Sequence, residues 1–102
     1  MNLRAKDTLN RIKDLIKAVI SLVDEFPKTT AAFKIAGQII DSVTSIGANF
    51  VEVQSARSKK EFISTMGIVL KEAKETLFWL EIIQELNCTG SETCDTPVKF
   101  VK

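Results

Sequence analysis

Phe62-Ile63-Ser64-Thr65-Met66-Gly67-Ile68-Val69-Leu70-Lys71-Glu72-Ala73-Lys74-Glu75-Thr76-Leu77-Phe78-Trp79-Leu80-Glu81-Ile82-Ile83-Gln84-Glu85-Leu86 decides the fold. Within it Phe62, Met66, Val69, Ala73, Thr76, Leu80 and Ile83 follow at alternating steps of four and three, which keeps them on one side of an α-helix. Just ahead, Ser58-Lys59-Lys60-Glu61 is a capping box, in which the Ser58 hydroxyl accepts from the Glu61 amide and the carboxylate reaches back. The spacing predicts a helix near residues 59–87. From Thr76 to Leu86 apolar side chains point almost all round it, and a helix of that kind is normally buried all round. Two antiparallel neighbours cannot cover so much. An oligomer interface through Leu77, Phe78, Trp79, Ile82 and Leu86 is therefore expected, since aromatic residues concentrate at interfaces. Val98, Phe100 and Val101 folding back over the same surface is the alternative.

Toward the N-terminus, Leu9, Ile12, Ile16, Val19, Val23 and Phe26 form a first helical stripe, widened by Leu15, Ile20 and Leu22. Pro27 ends it, because the residue before a proline is pushed out of the helical region. Thr29 or Thr30 offers a hydroxyl to cap the next helix. That helix carries Phe33, Ala36, Ile40, Val43, Gly47 and Phe50 on one face, with Ile39 and Ile46 beside them. The expected fold is all-α: three long helices near 3–25, 30–55 and 59–87, packed up-down-up as an antiparallel bundle. Residues 1–87 are read as the bundle domain and 88–102 as an irregular, turn-rich tail.

The middle helix has a second stripe of Gln38, Ser42, Ser45, Asn49 and Glu52. With Glu72 and Glu75 these residues could form a polar network between helices, and Asn49 is expected to pair with Glu72 or Glu75, since a buried amide needs partners. A solvated face is the plainer reading of the same stripe.

Composition removes much chemistry. The chain has 102 residues, enough for one domain, with 45% hydrophobic and 26% charged residues, the mix of a folded protein. It contains no His and no Tyr, so His-based triads, imidazole ligands and Tyr acid–base chemistry are excluded. Glu72/Glu75 and Glu81/Glu85 share helix faces, yet di-iron bundles need a Glu-x-x-His on two helices. No catalytic residue, metal or cofactor is expected, and the chain is read as a non-enzyme. Cys88 and Cys94 are spaced C-x5-C, unlike zinc or redox motifs, which leaves free thiols or a local disulfide open. The N-terminus has no apolar signal region, and the stretch from Ala18 to Val23 contains Ser21 and is too short to span a bilayer. A cytoplasmic protein with no membrane partner is expected.

The net charge is only +1, but charge is uneven along the chain. In an antiparallel bundle Arg4 and Lys6 lie at the same end as Arg57, Lys59 and Lys60, while Asp24, Glu25, Glu81 and Glu85 lie at the other. Any contact with RNA or DNA is expected at the basic end, where a helix N-terminus also suits a phosphate. Solubility and charge steering between molecules explain the same pattern without a nucleic acid.

Several segments together resemble a known family: Phe26-Pro27-Lys28, Gln38-Ile39, Ser42, Ser45-Ile46, Asn49-Phe50-Val51-Glu52, Arg57-Ser58-Lys59-Lys60-Glu61-Phe62, and Lys71 to Leu80. The chain is similar to the bacterial four-helix-bundle proteins encoded in intervening sequences of 23S ribosomal RNA genes, and to the accessory proteins of diversity-generating retroelements. Val53 stands where those proteins usually have Gly, and a fourth helix normally follows the third. The resemblance implies an oligomeric bundle, a ring such as a pentamer, associated with nucleic acid in the retroelement members. Two functions stay open: a nucleic-acid-associated interaction protein, or a structural scaffold with a protein partner.

Overall fold

Three helices occupy residues 1–86, the part of the chain that the computed structural model describes: α1 (Leu3–Val23), α2 (Thr30–Val53) and α3 (Lys59–Leu86). No strand occurs among the described residues. Cys88, Cys94, Val98, Phe100 and Val101, with the expected tail, lie outside them.

Each helix begins where a side-chain oxygen meets an otherwise unpaired amide. Asn2 Oδ1 accepts from the Ala5 amide at 2.7 Å, Thr29 Oγ1 from Ala32 at 3.1 Å, and Ser58 Oγ from Glu61 at 3.0 Å. Thr29 rather than Thr30 is thus the cap of α2. The Glu61 carboxylate reaches back to the amide of Arg57, one residue before the cap. α1 stops at Val23, and the Asp24, Glu25 and Phe26 amides close onto the Ile20, Leu22 and Val23 carbonyls before Pro27.

α2 is the central helix. It buries Ile39, Ser42, Val43, Ile46, Gly47 and Val53, whereas α1 fully buries only Val19 and α3 only Thr76 and Ile83. Both outer helices pack on α2, and no Cα of α1 comes within 8 Å of a Cα of α3. Val19, Ile39, Val43, Ile46 and Ile83 form one core cluster, which joins the end of α1, the middle of α2 and the end of α3, as antiparallel packing requires. At the α1–α2 seam, Gly47 stands against Ile12 and Ile16. At the α2–α3 seam, Ser42 meets Thr76.

This register explains where helical periodicity misleads. Phe33 shares a face with Val43 and Gly47 but is 82% exposed. It sits on the first turn of α2, level with the turn beyond the end of α1, so no described helix covers it and it lines the open groove there. Phe62, on the first turn of α3, is half-exposed for the same reason relative to the end of α2. Leu15 and Ile20 on α1 are also exposed, so among the described residues α1 is covered on its α2 side only.

Candidate interaction surfaces

The polar stripe of α2 divides once α3 is in place. Ser42 is buried; Ser45 and Asn49 are half-buried; Gln38 and Glu52 are exposed. Ser42 Oγ donates to the Ile39 carbonyl at 3.1 Å and accepts from Thr76 Oγ1 at 2.8 Å, so its hydroxyl is satisfied on both sides. The Glu72 carbonyl, 2.9 Å from Thr76 Oγ1, is a second acceptor for the Thr76 proton. Asn49 does not pair with Glu72 or Glu75. Its Nδ2 donates to the Ser45 carbonyl one turn back on its own helix, at 2.9 Å, which meets the need for a partner locally. The residue that completes the interhelix contact is Thr76, a hydroxyl within an otherwise apolar stripe, and that chemical mismatch was its only mark in the sequence.

The outer surface of α3 is apolar in two places. Leu77 and Phe78 are each about half exposed, as is Leu86, while Ile82 is partly covered. Trp79 turns the other way from the expected interface: it packs against the core cluster, and its ring meets Phe78 edge-on at 5.0 Å between centroids. Its Nε1 is buried with no hydrogen-bond partner among the described residues. Further up the same helix, Ile63 and Leu70 are also exposed. Periodicity had singled out neither.

The basic end holds Arg57, Lys59 and Lys60 on the α2–α3 turn. The antiparallel register, with Gly47 beside Ile12, brings Arg4 and Lys6 level with that turn. All five side chains are exposed, and none forms an ion pair with another described residue. An ion pair that does form, Arg11 Nε to Asp7 Oδ2 at 3.3 Å, joins two exposed side chains and contributes little. Glu61 lies in the middle of this end, and with Ser58 it already occupies two of the amides that a phosphate would use. An open groove at the turn is lined by Val53, Gln54, Arg57, Ser58 and Phe62. A second, at the opposite end, is lined by Val23, Phe26, Pro27, Lys28, Phe33 and Ala36. Among the described residues no group of three His, Cys, Asp or Glu is placed to hold a metal ion. No described helix is long and apolar enough to cross a membrane.

These features define a helical bundle centred on its second helix, with exposed apolar surface on the third. The 23S rRNA-intervening sequence protein family model matches residues 5–99. A crystal structure of a protein of unknown function from the S23 ribosomal protein family of Bacteroides thetaiotaomicron VPI-5482 is 32% identical, with a TM-score of 0.56. That match covers 95% of this chain and 83% of the other. The search of curated proteins found no match. The chain belongs to the 23S rRNA-intervening sequence protein family.

Proposed function

We propose that this chain works by binding rather than by catalysis: copies associate through the outer surface of α3, and the assembly brings its basic ends to nucleic acid. The observation that carries this reading is the contiguous pair Leu77 and Phe78, each about half exposed, with Leu70 and Ile63 exposed on the same side of α3 as Leu77. Single exposed apolar residues need no explanation, but a cluster on one helix surface marks an interaction site. Trp79 Nε1, buried at its border with no partner among the described residues, supports the same reading, because buried donors are normally paired.

Arg4, Lys6, Arg57, Lys59 and Lys60 support the nucleic-acid half. One copy carries few cations and would bind weakly and with strong salt dependence; an oligomer multiplies the patch. The family name and the S23 neighbour both point toward ribosomal RNA, so a structured 23S rRNA fragment is the first probe to use. One observation favours a scaffold with no nucleic-acid role: Glu61 places a carboxylate among the cations and takes up the end of α3.

Light scattering over a concentration series, followed by gel retardation of a 23S rRNA fragment and duplex DNA at two salt concentrations, tests both halves. Oligomers and salt-sensitive retardation are expected. Retardation should be lost when Arg4, Lys6 and Arg57 are changed to Glu, with helicity unchanged. An oligomer that retards nothing at low salt selects the scaffold, and a monomer at every concentration overturns the reading.

A further inference from the structure

Each end of the bundle leaves one aromatic ring open. Phe33 and Phe62 both stand on the first turn of a helix, past the reach of the helix before it, and are 82% and 47% exposed. Their surroundings differ in charge. The groove at Phe33 is lined by Asp24 and Lys28, with Glu25 next in sequence, so a phosphate gains nothing there. The groove at Phe62 is lined by Arg57 and Lys59, and Lys60 follows. From Val53 to Lys71 the only acidic residue is Glu61, whose carboxylate already accepts from the Arg57 amide. Lys59 precedes Phe62 by three residues, so the ammonium and the ring share one side of α3. The groove holds about 510 Å³, within the range of sites that take a small organic ligand.

We infer that the groove at the α2–α3 turn is a stacking site for one unpaired nucleobase: the base lies against Phe62, and its flanking phosphates pair with Arg57 and Lys59. This rests on the reading of the basic end as a nucleic-acid contact, and it adds the form of nucleic acid that the end selects, a single strand over a duplex. Cations alone favour the duplex, because its charge is denser and it releases more counterions. The ring reverses that order. Inside a duplex each base face is covered by its neighbours, so Phe62 has nothing to stack on, whereas an unpaired base offers a free face. Stacking on an aromatic side chain is worth about 5- to 150-fold in affinity per base, enough to outweigh a modest difference in charge density. Every base has a π-face, so the site reads strandedness and not sequence. The same ring at Phe33 lacks the cations, and the cations of Arg4 and Lys6 lack a ring, so the two features meet at this turn and at neither of those places. An oligomer repeats the site, and one strand that reaches two copies gains avidity from both.

The test uses the full chain and the fluorescence anisotropy of labelled strands with equal numbers of phosphates: oligo(U), oligo(dT), an abasic strand and a DNA duplex. The tighter of oligo(U) and oligo(dT) identifies the sugar that the site meets, and it should bind at least about 5-fold more tightly than the abasic strand or the duplex. Phe62→Leu keeps an apolar side chain in the core stripe and removes the ring. It should erase that advantage while circular dichroism stays unchanged. Phe62→Trp should keep the advantage, and oligo(dT) should quench its fluorescence well beyond that of the parent, whose Trp79 packs against the core cluster. An abasic strand that binds as tightly as oligo(U) and oligo(dT), or an advantage that survives Phe62→Leu, overturns the stacking site and leaves an electrostatic contact standing. A chain that binds no strand at low salt overturns both.

Discussion

The two seams of α2 are built differently. Toward α3 the contact is the more extensive, and it includes a buried hydrogen bond between Ser42 and Thr76. Toward α1 the helices close over Gly47, whose missing side chain leaves room for Ile12 and Ile16, and no side-chain hydrogen bond crosses between the described parts of these helices. Hydrophobic contact alone is non-directional, whereas a buried hydroxyl pair has one satisfying geometry. The α2–α3 seam is thus held in register by chemistry and the α1–α2 seam by shape. Since α1 approaches no other described helix closely, its hold among the described residues depends on that one shape-matched seam, and local opening should begin there.

The strongest way to break this contrast is to remove what the seams share. Ile39 is fully buried in the cluster that includes Val19 of α1 and Ile83 of α3. Ile39→Ala should cost about 2–5 kcal/mol, through lost transfer energy and the cavity left behind. Urea unfolding would read it as a lower midpoint with an unchanged slope. A loss below about 1 kcal/mol would mean that the site collapses freely and the two seams do not rest on one core.

Helix ends were legible in the sequence because their signals are local: a hydroxyl at Thr29 or Ser58, a proline at position 27, and apolar spacing between them. What depends on a neighbour's length was not. Phe33 and Phe62 carry the right periodicity but sit on first turns, beyond the reach of the preceding helix. The polar stripe includes Ser42, which meets Thr76 of α3, yet it suggested Asn49 as the donor. A side chain that can bond its own backbone needs no partner across the seam, and Asn49 does so at Ser45. Trp79 was read as outward from its place off the main stripe; the long indole reaches the core cluster from that flank.

The α2–α3 seam can be sharpened with a double-mutant cycle. Thr76→Val keeps the branched shape and removes the hydroxyl, which leaves Ser42 with its Ile39 carbonyl but without its donor. Ser42→Ala leaves Thr76 with the Glu72 carbonyl. Each single change should cost about 1 kcal/mol, and the double variant less than the sum, with a coupling of about 0.5–1.5 kcal/mol. Strict additivity in chemical denaturation would show that the two hydroxyls do not act together and that register rests on packing at both seams.

The smallest expected effect belongs to Gly47→Ala, because two terms oppose each other. Alanine gains about 1 kcal/mol of helix propensity over glycine. Against that, the new Cβ would stand 3.2 Å from Ile16 Cδ1 and 3.4 Å from Ile12 Cγ2. The first atom ends a side chain that can rotate away. The second is held close to the α1 backbone by a stiff branched carbon, so relief there means a small outward shift of α1. A net change within about 0.5 kcal/mol is expected, although the substitution is favourable on propensity alone. Gly37→Ala supplies the reference: it is also on α2, with nothing within 4 Å of an added Cβ, and should stabilise by close to the full propensity gain. The difference between the two midpoints measures what close approach at the α1–α2 seam costs. If Gly47→Ala stabilises as much as Gly37→Ala, α1 moves aside freely and shape does not hold that seam.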